Sequence, residues 1–199
     1  DFIDMVEARY APYRDWALRE NKESGDEELW CKWLLPDYDQ ARVKQVCHEL
    51  SYQYRQCKGR RIVVDGGVEV IKGLHERGYK LGIIANTITE TEIPDWMCHD
   101  NVADCFKTVI LSSKVRLRKP DPAIYLLAAR CIGSAPENCA YVGDNPVRDV
   151  EGAVDAGYGS MVLFEDAGTA DREGKAPTVM PDYRIKSIPE LLDLFQPRS

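Results

Sequence analysis

Over the first 60 or so residues, apolar and aromatic side chains recur at mixed steps of three and four. Phe2, Met5, Val6 and Tyr10 come first, then Trp16 and Leu18. That spacing predicts a helix. A polar stretch from Asn21 to Glu28 separates it from an apolar run, Leu29 to Leu35, and Pro36 with Asp37 marks a turn. Residues 39–57 then read as a polar, amphipathic helix through Val43, Val46, Leu50 and Tyr54. No stretch in this segment alternates as a half-buried strand does. Trp30 and Trp33 read as packing residues of the lobe, since large aromatics contribute chiefly by burial.

From Val63 the texture changes. Asp65-Gly66-Gly67 is a turn, and Val68 to Arg77 is an amphipathic helix closed by Gly78. Lys80 to Ala85 is short and almost continuously apolar, the pattern of a strand buried on both faces of a parallel sheet. Further strands are predicted at Thr108–Leu111, Cys139–Val142 and Gly159–Phe164, with a short edge strand at Tyr183–Ile185. Helices are predicted from Pro122 to Cys131, from Pro146 to Ala156 and from Ile188 to Phe195. Residues 165–181 read as a loop rich in glycine, proline and charge. Strands alternating with helices imply an α/β fold with a doubly wound parallel sheet and right-handed crossovers. The helical lobe, residues 1–62, precedes this core, residues 63–199.

Composition narrows the function. The 199 residues carry 26 basic and 33 acidic side chains, a formal charge of −7. An acidic chain is a poor match to nucleic acid held through phosphates. No apolar run approaches the roughly 18–20 residues that span a bilayer. No basic segment followed by an apolar one opens the chain, so no signal peptide is visible. The seven cysteines form no CxxC pair or regular framework, which suits reduced thiols and a cytoplasmic location. Cys98-His99 lacks the spacing of a structural zinc site.

In such a sheet, ligands sit beyond the carboxyl ends of the strands. Three segments there carry candidate chemistry. Asn86 and Thr87 follow the first core strand and can meet an anion through side chains and backbone N–H groups; Asn and Thr are also ordinary in such turns. Lys119 sits before Pro120, which holds it extended, and Asp121 and Pro122 then start a helix. A lysine on so rigid a joint can neutralise a phosphoryl group. Asp144 ends a buried strand, and Asp149 lies in the first turn of the next helix. Two converging carboxylates can hold a hard cation such as Mg²⁺, although aspartates also simply cap helices. Gly143 gives a tight turn, and Gly152-Ala153 keeps the helix slim against the sheet.

The order of these pieces, together with "GVEVIKGLHERGYKLGIIAN", "RKPDPAIY", "YVGDNPVRDVEGAVDAGY" and "PDYRIKSIPELLDLF", resembles the haloacid dehalogenase-like superfamily of hydrolases, over roughly residues 63–195. The resemblance implies a Rossmann-like core with residues 1–62 as its inserted cap. It implies a Mg²⁺-dependent phosphatase of small phosphorylated metabolites that works through an aspartyl-phosphate. On that reading Asp144 binds Mg²⁺, and Asp149 supports the metal directly or through water. Lys119 steadies the phosphoryl group and the nucleophile, and Asn86 or Thr87 contacts phosphate oxygens. Lys119, Asp144 and Asp149 are then the catalytic set.

Two positions depart from the family pattern. Where the family has Ser or Thr before the asparagine, this chain has Ala85. The family's nucleophile lies in a DxDxT segment ending a first, central strand, and neither Asp1/Asp4 nor Asp65 matches it. The expectation is a sheet lacking that strand, with the nucleophile supplied upstream of residue 1. The alternative is an inactive relative that binds a phosphorylated ligand or a protein partner. The dehalogenase and phosphonatase branches share the scaffold. No GxxxxGK[ST] or GxGxxG is present to support nucleotide or dinucleotide binding.

Overall fold

The computed structural model describes residues 1–59, 62–165 and 178–197. Most of the loop predicted over 165–181 therefore lies outside the described residues. The helical lobe opens with α1 (Phe2–Glu20), whose N-cap Asp1 accepts from the Asp4 amide and whose end is turned by Asn21 in the left-handed region. α2 (Asp26–Glu28) runs directly into a π-helical turn, Leu29–Leu34, and α3 (Gln40–Cys57) is capped by Asp39. Their shared core contains Val6, Tyr13, Leu29, Trp30, Leu34, Val43 and Tyr54. Trp30 is buried and donates its indole N–H to Ser51 Oγ at 2.8 Å. Trp33 packs edge-on against Tyr13. Both tryptophans are packing residues, as their sequence context predicts.

The core alternates as expected. α4 (Gly67–Glu76) leads to β1 (Leu81–Ala85), followed by α5 (Glu92–His99) and β2 (Phe106–Leu111). A single turn, α6 (Ser112–Val115), precedes α7 (Pro122–Ile132) and β3 (Ala140–Gly143). A π-helical segment, Pro146–Glu151, runs into α8 (Gly152–Asp155), then β4 (Ser160–Phe164), β5 (Tyr183–Ile185) and α9 (Leu191–Leu194). All strand pairs are parallel, and Asp121 caps α7 ahead of Pro122.

The strands form two separate sheets, β1-β2 and β3-β4-β5. Among the described residues no strand joins them. Instead a trough of about 410 Å³ runs between β1 and β3, lined by Leu81, Gly82 and Ile84 on one side and by Ala140, Tyr141 and Val142 on the other. Helices cover both faces. Val70 of α4 packs with Val162 of β4, while Val68 and Ile71 pack with Ile83 of β1. On the opposite face, Ile124 and Ala128 of α7 pack with Ile110, Met161 and Leu163, and with Ile84. Ile83 and Ile84 thus serve opposite layers, as the period of two requires. The full burial expected for β1 and β3 is not reached: Ile83 and Ile84 are half-buried and Val142 is 36% exposed. Among the described residues each of these strands is an edge of its own sheet, with one row of backbone donors and acceptors lacking a strand neighbour.

Candidate phosphate and metal site

The carboxyl ends of β1 and β3 face the Lys119 loop. Asn86, just past β1, grips that loop twice. Its side-chain amide donates to Lys119 O at 3.0 Å, and its Oδ1 accepts from the Lys119 amide at 2.9 Å. The next peptide bond, Lys119-Pro120, is cis. The Lys119 side chain turns inward and is 8% exposed. Its Nζ donates to Asp149 Oδ1 at 2.7 Å and to the Tyr141 hydroxyl at 2.7 Å, and sits 5.3 Å from the Tyr141 ring centre.

Asp149 is 1% exposed. Besides Lys119, its Oδ2 accepts from the Asn145 amide at 3.0 Å and Arg148 Nε lies 3.8 Å from Oδ1. The sequence predicts one α-helix from Pro146 to Ala156. The structure instead makes Pro146–Glu151 π-helical and leaves only Gly152–Asp155 as α-helix. Wider π turns commonly mark functional positions. Here the turn brings Asp149 so close under Gly143 that a Cβ on Gly143 would stand 2.5 Å from the Asp149 Cβ. A Cβ on Gly152 would meet the Tyr125 ring at 2.8 Å and Pro120 O at 2.9 Å. Both glycines are there for close approach.

Charge in this pocket is set by burial and pairing. Burial pulls the Lys119 ammonium below its ordinary value, opposed by the Asp149 charge. Burial also pushes the Asp149 carboxyl upward, but Lys119 and Arg148 outweigh it and leave it below the usual carboxylate range. Burial, then Asp149, drives the Tyr141 phenol well above its ordinary value, so it stays a neutral hydroxyl.

Asp144 stands apart from this buried cluster. Its side chain is 44% exposed, with Arg148 Nη2 3.7 Å from Oδ1. Thr87 lies deeper than expected for a ligand contact. It is buried, its hydroxyl accepts from the Thr89 amide at 3.2 Å, and its own amide donates to Ser112 Oγ at 2.8 Å. The structure therefore brings Asn86, Lys119 and Asp149 into one hydrogen-bonded unit, with Asp144 beside it and Thr87 turned into its own loop.

The donor chemistry suits a hydrated Mg²⁺, which takes few carboxylates plus water and phosphate oxygens. Asp144 offers an accessible carboxylate. Both oxygens of Asp149 are already engaged, so its part would be to hold Lys119 and to act through water.

Two residues of this region were not foreseen. Tyr141 gives no signal beyond its place in a strand. Glu23, in the polar stretch after α1, is 2% exposed and accepts from Ser112 Oγ at 3.0 Å, from Arg118 Nη1 at 2.5 Å and from the Tyr13 hydroxyl. Arg118 directly precedes Lys119, so this cluster ties the helical lobe to the Lys119 loop. A lone glutamate in a polar run carries no periodic mark of burial.

A family model described as haloacid dehalogenase-like hydrolase matches residues 6–157. The chain belongs to that family. The match begins inside α1 and ends at residue 157, so it takes in most of the helical lobe and the core as far as the end of α8. Among curated relatives, a glyceraldehyde 3-phosphate phosphatase of Methanopyrus kandleri is 30% identical over 131 residues, 65% of this chain and 54% of the relative. A phosphoserine phosphatase of Thermus thermophilus is 32% identical over 115 residues, 58% of this chain and 44% of the relative. The chain thus spans about half the length of the curated relatives it matches. The solved structure of a HAD phosphatase from Thermococcus onnurineus superposes with a TM-score of 0.57 at 23% identity, covering 96% of this chain and 85% of that one. That likeness establishes the fold: a Rossmann-like α/β core. No helix among the described residues is long and apolar enough to cross a membrane.

Proposed function

We propose that this haloacid dehalogenase-like chain carries the phosphate- and Mg²⁺-binding part of a phosphatase acting on small phosphorylated metabolites. Residues 63–199 are the core and residues 1–62 the cap that closes over it and limits water. One observation carries the reading: the buried Lys119–Asp149 pair, with Asp144 beside it, lies where the strands flanking the β1–β3 trough end. A parallel strand seated in that trough would bring a side chain from its own carboxyl end to Lys119.

The nucleophile is then an aspartate on that strand, outside this chain's own residues. Its carboxylate attacks phosphorus, the phosphorus–oxygen ester bond breaks, and the departing alkoxide takes a proton from an acid group. Water then hydrolyses the acyl phosphate. In this chain, Lys119 places its ammonium against the phosphoryl charge, where a low-dielectric setting strengthens the effect. Asp149 holds that ammonium in line, Asn86 holds the loop that bears it, and Asp144 offers the metal its carboxylate. Mg²⁺, when bound, offsets negative charge on the phosphoryl oxygens. The phosphatases among its relatives favour a phosphate ester as substrate.

A second reading is favoured by Ala85 and by the inward turn of Thr87. With no hydroxyl at position 85, the site would bind a phosphorylated ligand, or a phosphorylated partner protein, without turnover. The two separate in one experiment. The chain is extended or supplemented with an apolar strand ending in aspartate, and phosphate release from a panel of phosphomonoesters is measured with and without Mg²⁺. Mg²⁺-dependent release that Asp144→Asn removes supports the phosphatase. Phosphate binding without release supports the second reading. Absence of both sinks the proposal.

A further inference from the structure

Away from Asp144 and Asp149, three side chains from three elements meet where the helical lobe adjoins the core. They are Asp26 at the start of α2, His48 within α3 and Glu90 in the loop after β1. One ligand atom from each lies within 4.8 Å of those from the other two. Asp26 is 3% exposed, and its Oδ2 sits 2.6 Å from His48 Nδ1. Its other oxygen accepts from Ser51 Oγ at 2.8 Å, and Ser51 Oγ in turn accepts from the Trp30 indole at 2.8 Å. Ser51 and Trp30 are both buried. The Asp26 carboxylate is thus oriented from behind by a rigid chain of donors, with Oδ2 directed to the histidine. Hydrogen bonds that fix a carboxylate from outside in this way are a regular feature of metal sites. Lys114 Nζ lies 3.7 Å from Glu90, and the lysine side chain is half exposed, so a cation at Glu90 would take the place of that ion pair.

We propose that Asp26, His48 and Glu90 form a binding site for a divalent first-row transition cation, best matched by Zn²⁺, that pins the lobe to the core. One imidazole nitrogen and two carboxylate oxygens suit Zn²⁺ better than the all-oxygen sets of Mg²⁺ or Ca²⁺. The two carboxylates match the cation's charge, and water completes a tetrahedron. Binding requires Oδ2 and Nδ1 to part from 2.6 Å to about 3.3 Å, the edge of a tetrahedron with bonds of about 2.0 Å. His48 can make that move, because its side chain is 66% exposed. This site shares no residue with the proposed catalytic one, and neither depends on the other.

The test uses the whole chain, stripped with a chelator and then titrated with Zn²⁺ by calorimetry and with Co²⁺ by absorption. The expected result is one saturable cation, a higher melting temperature on Zn²⁺ addition, and a Co²⁺ spectrum free of thiolate charge transfer. His48→Ala removes both the binding and the melting shift, each scored against that variant's own metal-free melting curve, which is lowered by loss of the hydrogen bond to buried Asp26. Glu90→Gln weakens binding at least about tenfold, and Ser51→Ala by about tenfold through loss of carboxylate orientation. Absence of saturable binding overturns the proposal. So does unchanged binding in His48→Ala, loss of binding in Asp144→Asn, or a thiolate band showing that cysteines hold the ion.

Discussion

Removing the Lys119 ammonium should expose how strongly the site depends on one buried pair. In Lys119→Met the hydrocarbon stem is largely kept, and Asp149, 1% exposed, is left without the cation 2.7 Å away. Breaking a buried pair from one side costs about 3–5 kcal/mol, because the surviving charge stays desolvated. The Asn145 amide still donates to Oδ2, and Arg148 still stands 3.8 Å from Oδ1, so the lower end, about 3 kcal/mol at pH 7, is expected. The loss must depend on pH, with a definite sign. In the wild type the folded Asp149 carboxyl lies below its unfolded value near 3.9, so its stabilisation is present above about pH 4 and drains as pH falls through the folded value. In the variant, burial without the lysine raises the folded carboxyl above its unfolded value. A proton then replaces the ammonium at low pH, and stability falls as pH rises, by up to about 1.4 kcal/mol per unit until the folded carboxyl ionises. Urea unfolding at pH 5, 6, 7 and 8, comparing wild type with variant, measures this. The gap should be small at pH 5 and widest at pH 8. A gap below about 1 kcal/mol at pH 7, or one that stays flat or narrows with rising pH, would refute the assignment of a tightly coupled buried pair.

Other outcomes follow from the same geometry. Asp144→Asn changes unfolding free energy by no more than about 0.5 kcal/mol, since the side chain is 44% exposed. In a chain with the trough filled, it nonetheless removes Mg²⁺-dependent phosphate release. Gly152→Ala places a methyl group 2.8 Å from the Tyr125 ring and 2.9 Å from Pro120 O, and lowers stability by about 1–3 kcal/mol in a thermal or urea melt. Glu23→Gln leaves Arg118 beside a neutral amide in a buried setting and costs about 2–4 kcal/mol. A double-mutant cycle with Arg118→Met should return a coupling of at least about 1 kcal/mol, and simple additivity would disprove the link.

Much of the architecture was legible along the chain. The strand positions at Lys80–Ala85 and Gly159–Phe164, the Asp121-Pro122 helix start, and the placing of candidate groups at strand ends all follow from local chemistry. Period, capping and proline geometry act within a few residues, so a one-dimensional pattern can display them. Lys119 and Asp149, 30 residues apart, could be expected at the same end of the sheet from their order on the alternating units, but with separate roles, phosphoryl group and metal. Their 2.7 Å contact, and the engagement of both Asp149 oxygens, belong to three dimensions.

What tertiary structure alone decided lies in long-range packing. Glu23 reaches Ser112 and Arg118 across some ninety residues, and Asp26, His48 and Glu90 meet from three elements, none with a sequence spacing that announces it. The π turn at Pro146–Glu151 replaced a predicted α-helix because the same residues satisfy either hydrogen-bond ladder locally, and only the environment of Asp149 distinguishes them. Apolar runs in β1 and β3 announced strands meant for burial. That both are edges facing an apolar trough follows from which backbones pair with which, and pairing between distant segments leaves no trace in the order of residues along one strand.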